Sequence, residues 1–281
     1  MMITRRTLLA GAGGVTALAL MDRLIPQAFA AQIPAVGIQL YTVRDIFQKD
    51  PVGTLQAIAK IGYREIEFGG GGYDSMDPAM LRATMDKAGL RCPSLHIGYD
   101  ALLGQFDKSV AMARTLGAKT VILPYMTDEH RTEAGWNAAL PNFNKFARDL
   151  KKAGFDFAYH NHDFEFTNKP GGVSLYDRFL KETDPALVKV ELDLYWAKHA
   201  GQDLGALIDR LSNRLYSYHV KDMRPDGKMT AVGTGTIDFA ALFKRPSSAH
   251  VRHFYVENDE APAPYLPDIT TSFKTLQALR F

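Results

Sequence analysis

From Val36 onward the chain keeps one rhythm: a short β-rich run, then a longer stretch with apolar residues at helical spacing. The runs at 36–41, 63–68, 90–96, 118–124, 155–161, 187–193, 215–220 and 252–257 read as strands. Helices are predicted over 51–61, 78–88, 101–116, 134–153, 174–181, 204–211, 238–243 and 267–279. Gly89, Gly117 and Gly154 stand where three of those helices need a left-handed C-cap. Strands that alternate with crossover helices all run the same way, so the sheet is parallel. Eight such units in about 250 residues close most simply into a (β/α)8 barrel, a single α/β domain. An open doubly wound sheet would need a phosphate-binding glycine loop after the first strand, and Tyr41-Thr42-Val43-Arg44-Asp45 is not one. The run from Gly69 to Gly72 follows the second strand but lacks the spacing and lysine of a P-loop. It reads as a flexible loop at the active face.

Residues 1–30 are set apart from that fold. Arg5 and Arg6 precede a weakly apolar stretch from Leu8 to Leu20, and Ala28-Phe29-Ala30 offers a small-x-small cleavage site. This order reads as a twin-arginine signal peptide, so the expected domains are 1–30 for the signal and 31–281 for the barrel. The apolar stretch is too short and glycine-rich for a membrane anchor. The expected location is therefore periplasmic or secreted, with the twin-arginine export machinery as a partner. The whole chain has 33 basic and 31 acidic residues, and losing Arg5, Arg6 and Arg23 against Asp22 makes the two counts equal. A neutral domain shows no basic stripe for nucleic acid and favours a small carbohydrate. The lone Cys92 excludes an internal disulfide and a thiolate metal cluster, and it reads as a buried structural thiol. A homo-oligomer is compatible with this composition.

Polar residues collect where a barrel keeps its functional groups, at the C-terminal ends of strands. Gln39 and Tyr41 end the first strand, Glu65 and Glu67 the second, His96 the third. The fifth ends in His160-Asn161-His162, the sixth in Glu191-Leu192-Asp193, the seventh in His219-Val220-Lys221-Asp222 and the eighth in Glu257-Asn258-Asp259. Burying acids and imidazoles among apolar strand residues is costly unless they are paired or hold a metal. His160, Asp193, His219 and Glu257, one from each of four consecutive strands, form the expected ligand set. Two nitrogen and two oxygen donors suit one divalent ion, Mn²⁺ or Zn²⁺ first, with Co²⁺, Mg²⁺ or Fe²⁺ compatible. His160 and His162 share one face of their strand, so either supplies the fifth-strand ligand; His160 is preferred.

The segments at 37–45, 160–166, 191–196, 219–222 and 256–259 resemble the sugar phosphate isomerase/epimerase family, with its xylose isomerase-like barrel. Relatives in that group include inosose dehydratase, the ketose 3-epimerases and endonuclease IV. The resemblance implies that Asp193, His219 and Glu257 bind metal. It also implies proton abstraction beside a carbonyl through an enediolate-type intermediate, giving isomerisation, epimerisation or, with loss of a leaving group, dehydration. Many members carry a glutamate where this chain has His160, which puts the symmetric two-glutamate epimerase mechanism in doubt. Glu257 is the first candidate base, and His162 or Glu165 the second acid/base group. Lys221 is expected to hydrogen-bond a substrate oxygen, Gln39 and His96 to bind hydroxyls, and Tyr41 or Trp196 to stack on a ring. Glu191 is expected to orient a ligand from behind. Two other readings are an endonuclease IV-like phosphodiester hydrolase, which needs three metals and a basic face, and a sugar-binding barrel without catalysis.

Overall fold

The computed structural model describes residues 31–281; the expected signal segment, 1–30, lies outside the described residues. Eight parallel strands form the barrel: β1 Val36–Gln39, β2 Glu65–Glu67, β3 Ser94–His96, β4 Thr120–Leu123, β5 Asp156–His160, β6 Val188–Asp193, β7 Leu215–Val220 and β8 His253–Val256. Their hydrogen-bonded order is β2-β1-β8-β7-β6-β5-β4-β3. Parallel bridges at Glu65–Arg91 and Phe68–Leu95 join β2 to β3 and close the ring. The fold is a TIM barrel.

The crossover helices are α1 Pro51–Ile61, α2 Pro78–Ala88, α3 Phe106–Leu116, α4 Glu133–Lys152, α5 Leu175–Glu182, α6 Leu204–Leu211, α7 Phe239–Phe243 and α8 Leu266–Ala278. Their starts are written in the sequence. Asp50, Asp77, Thr132, Ser174, Asp203 and Asp238 each accept a hydrogen bond from a backbone N–H in the first turn. That contact satisfies a donor the helix itself cannot. Gly89 and Gly117, at φ +68° and +87°, close α2 and α3 as expected.

Two local features differ from the sequence reading. The helix expected over 101–116 is two helices, Tyr99–Gly104 and α3, broken at Gln105, whose extended φ of −135° interrupts the turn. After β7 the chain makes a small antiparallel hairpin, Asp222–Met223 against Met229–Thr230. The buried Asp222 carboxylate organises this hairpin and the loop that leaves it. It accepts from the N–H groups of Gly233 and Gly235 (both 2.9 Å), Met223 (2.8 Å) and Ile237 (3.2 Å). No helix among the described residues is long and apolar enough to cross a membrane.

Outward-facing strand residues such as Ile38, Ile66, Leu95, Val121, Phe157, Leu192, Val220 and Phe254 are buried against the helices. Burial at about 25 cal/mol per Å² makes this layer the main source of stability. The inner face is different. Branched aliphatic residues usually fill such a barrel, but here polar side chains bond across it. Ser94 donates to Glu67 and accepts from the Tyr255 hydroxyl, and Ser217 donates to Glu191. Tyr255 fits because β1 offers no side chain opposite it; a Cβ on Gly37 would stand 2.5 Å from the Tyr255 ring. Overpacking of this kind costs typically about 1–3 kcal/mol. Gly37→Ala should therefore lower unfolding stability by that amount, read as a lowered denaturation midpoint at unchanged slope. An unchanged midpoint would show that the inner layer has slack.

Candidate metal centre and active site

The C-terminal ends of β5 to β8 converge as the sequence suggested. One donor atom from each of His160, Asp193, His219 and Glu257 lies within 4.8 Å of the others, and all four residues are buried. A second set, His96, His160, Glu191 and His219, meets the same distance condition. His162 belongs to neither set. Its ring stands 5.0 Å from that of His160 and lies against Trp196 (5.6 Å) and Tyr125 (5.1 Å), one layer nearer the mouth.

Each of the four residues has a defined setting. Asp193 closes β6 and opens the short helix Leu194–His199, so its Oδ1 caps that helix by accepting from the Trp196 N–H at 2.8 Å. Its Oδ2 is buried without a hydrogen bond, within ionic reach of Lys221 Nζ at 3.1 Å. The His160 ring places Nε2 at 3.9 Å from that oxygen, while its buried Nδ1, 3.5 Å from Glu191, makes no hydrogen bond. His219 is held from both sides: Nδ1 meets Glu257 Oε2 at 2.7 Å, and Nε2 meets Glu67 and Glu191 at 2.8 and 2.9 Å. Behind it, Glu67 accepts from Gln39 (2.9 Å), and Glu67 and Glu191 share His96 Nε2 at 2.9 and 3.0 Å.

The electrostatics follow from this crowding. Burial pushes Asp193 up to about 6, against the pull of Lys221 and His219. For Glu191 and Glu257 burial acts the same way but is outweighed, by His219 and by Lys221 with His219, so both carboxyls sit well below the usual range. Burial also works against a charged His96, yet Glu67 and Glu191 raise it to about 9. Burial and the neighbouring His219 lower His160 to about 3, leaving a neutral ring. Lys221 is no solvated loop residue. It is buried with Nζ 2.7 Å from Glu257 and 2.9 Å from both Asp259 oxygens. Although burial opposes its charge, Asp193, Asp259 and Glu257 hold it as an ammonium. Asp193 Oδ2, buried without a hydrogen bond and 3.9 Å from His160 Nε2, fits a divalent cation: a buried polar atom needs a partner, and this donor set supplies nitrogen and oxygen together.

A cavity of about 900 Å³ opens above the cluster, lined there by His96, His160, His162, Trp196, Lys221 and Glu257, with Tyr41 at its edge. Two candidates do not reach it. Gln39 is fully buried beneath, where its amide supports Glu67 and its Oε1 accepts from the Tyr41 N–H; a Cβ on Gly69 would strike it, so glycine makes room. Glu165 turns back into the core on the short helix Phe164–Thr167 and accepts from the Tyr159 hydroxyl (2.5 Å) and the His162 N–H (2.8 Å). It therefore braces the His162 backbone and does not stand beside a substrate. Glu65 lies at the opposite end of the barrel with Arg91 and His253. Cys92 is buried and gives its S–H to the Ser94 carbonyl.

Residues 55–245 match the model of the xylose isomerase-like TIM barrel family. The chain belongs to that family. An inosose dehydratase from Geobacillus kaustophilus is 25% identical over 242 residues, 72% of this chain and 76% of the relative. A sugar phosphate isomerase/epimerase from Parabacteroides distasonis has 26% identity and a TM-score of 0.71, covering 88% of this chain and 95% of that one. An L-ribulose 3-epimerase superposes with a TM-score of 0.68 over 86% of this chain and 93% of its own, at 16% identity, a likeness of fold alone.

Within this family barrel, Glu165 gives a pH signature separate from the metal centre. Burial raises its carboxyl from 4.5 to about 8, against the hydrogen bonds from Tyr159 and His162. Over that interval the unfolded chain releases a proton that the folded chain retains, so the contribution to stability is complete at low pH and is lost as pH rises toward 8. The stability of wild type relative to Glu165→Gln should fall with a slope of up to about 1.4 kcal/mol per pH unit between pH 5 and 8. Equal pH profiles in urea unfolding would contradict the assignment.

Proposed function

We propose that this protein is a divalent-metal-dependent enzyme that abstracts a proton beside a carbonyl in an unphosphorylated sugar, keto-sugar or the keto form of a polyol. The result is isomerisation, epimerisation or dehydration. The observation that carries the reading is the buried convergence of His160, Asp193, His219 and Glu257, with Asp193 Oδ2 making no hydrogen bond. The relatives support it, since their names cover an inosose dehydratase and a sugar phosphate isomerase/epimerase. His160, Asp193, His219 and Glu257 would hold a divalent ion, which when bound would supply Lewis-acid polarisation of the substrate's oxygens.

The chain's own groups do the rest. Lys221, kept charged by three carboxylates, presents its ammonium at the cavity floor and donates to the oxygen on which negative charge develops. Glu257 lines the cavity as an ionised carboxylate and takes the carbon-bound proton. His162 is the second proton-transfer group. Burial and neighbouring His160 and Lys221 keep its ring neutral, it lines the cavity, and its Nδ1 has no partner. Trp196 closes one side and excludes water. Whether the proton returns to another carbon, to the opposite face, or leaves with a hydroxyl depends on how the substrate sits between Glu257 and His162. Arg5-Arg6 and Ala28-Phe29-Ala30 support export, with a periplasmic or secreted site of action as part of this proposal.

Incubation of the Mn²⁺-loaded protein in D₂O with a panel of ketoses, aldoses and inososes should put deuterium at one carbon of at least one substrate. Glu257→Gln should slow that exchange by on the order of 10²–10⁴-fold. Binding of a panel member without exchange at any carbon would leave a sugar-binding barrel instead.

A further inference from the structure

The cavity is larger than the reaction needs. A six-carbon ring displaces on the order of 200 Å³, taking about 30 Å³ per water removed, whereas the cavity measures about 900 Å³. Its two halves also differ in chemistry. The half over β5 to β8 is densely ionic, while the half over β2 to β4 presents Ile97, Ala101 and Met112 with Gln105 and Ser109 among them, and the exposed Asp74, Ser75 and Lys108 also line it. Few large apolar side chains remain exposed among the described residues, and two of them line this cavity: Tyr41, 40% exposed, and Tyr125, 44% exposed. Exposed aromatics gathered at a pocket mark recognition surfaces.

Both rings are held ready. The Arg44 guanidinium covers one face of Tyr41 at 4.2 Å, and Arg131 covers one face of Tyr125 at 4.4 Å. Gly70, at φ +72°, brings the loop so close to Tyr41 that a Cβ there would stand 2.6 Å from its ring. Tyr125 also touches His162 edge-on, so it stands at the junction between the ionic and apolar halves. An amphipathic ring seated beyond His162 would meet Tyr125, Ile97 and Met112 with its apolar face and Gln105 and Ser109 with its hydroxyls.

We propose that the substrate is a glycoside: a keto-sugar, or the reducing residue of a larger sugar, sits in the ionic half with the carbonyl that enolisation needs, and carries a second ring that the apolar half binds between the loops after β3 and β4. This rests on the proposed function and narrows its substrate class. The second ring is either another sugar or an aromatic aglycone, and both offer the flat apolar face that tyrosine stacks on.

Calorimetry on the Mn²⁺-loaded full chain distinguishes these. Three matched sets built on glucose, galactose and xylose each contain the free sugar, the phenyl β-glycoside and the β-1,4-linked disaccharide. In at least one set a two-ring ligand should bind about tenfold tighter than its free sugar or more. Which of the two does so identifies the second ring. The ratio should fall toward one in Ala101→Trp, which fills the apolar half, and in Tyr125→Ala, an exposed position whose truncation leaves the core intact. Free sugars that bind as tightly as their two-ring forms overturn the glycoside proposal while leaving the proposed function standing. A ratio unchanged in both variants overturns the placement of the second ring. Absence of binding throughout, together with absence of deuterium exchange, overturns the proposed function and the glycoside with it.

Discussion

Charge buried without compensation is among the most costly things a fold can contain, and the inner face of this barrel concentrates it. Glu67, Glu191, Asp193, Glu257 and Asp259 gather around Lys221 and the rings of His96, His160 and His219. Each acid is answered by at least one cationic or hydrogen-bonding group, and Lys221, His96, His160 and His219 each face two or more acids. Removing one partner from such a set leaves a buried charge unpaired, which typically costs about 3–5 kcal/mol. A barrel whose interior were only a stability device would be filled with branched aliphatic residues. This one accepts a costly polar interior, and the gain lies in the site it supports.

The division of labour between the two strand faces makes that possible. Outward-facing aliphatic and aromatic residues bury against eight helices and supply the driving force for folding. Inward-facing residues are thereby released from that task. Gln39, Ser94 and Ser217 brace Glu67 and Glu191, which in turn fix the His219 and His96 rings. A ring whose far nitrogen is engaged by a carboxylate has its orientation set, the arrangement that tunes metal-binding histidines generally. The same logic explains Lys221: three carboxylates keep it charged, so it serves as a fixed donor at neutral pH and not as a base.

The parts legible in the sequence were those that depend on local pattern. Strand and helix rhythm, aspartate and serine caps and glycine stops are all short-range signals, and so is a polar residue ending an apolar run. That is why the ends of β5 to β8 and their four converging side chains could be named. What crosses the barrel could not. Glu67 was visible as a strand end, yet nothing near it announces a bond to His219, 152 residues away. Glu165 stood as a candidate acid/base group in the sequence; the short helix that carries it turns its carboxyl under Tyr159 instead. The break at Gln105 carries only a weak signal, the single glycine before it, Gly104. The hairpin after β7 does have a signal, Pro225-Asp226-Gly227, the usual composition of a tight turn.

The central claim is that four side chains from four consecutive strands hold one divalent ion, with His160 and not His162 as the fifth-strand ligand. Elemental analysis of wild type, His160→Ala and His162→Ala, each loaded with Mn²⁺ or Zn²⁺ and dialysed, tests it directly. The structure predicts about one ion per chain in wild type and in His162→Ala, and loss of most of it in His160→Ala, because only His160 stands with Asp193, His219 and Glu257. No ion in wild type, or equal retention in the two variants, would contradict it.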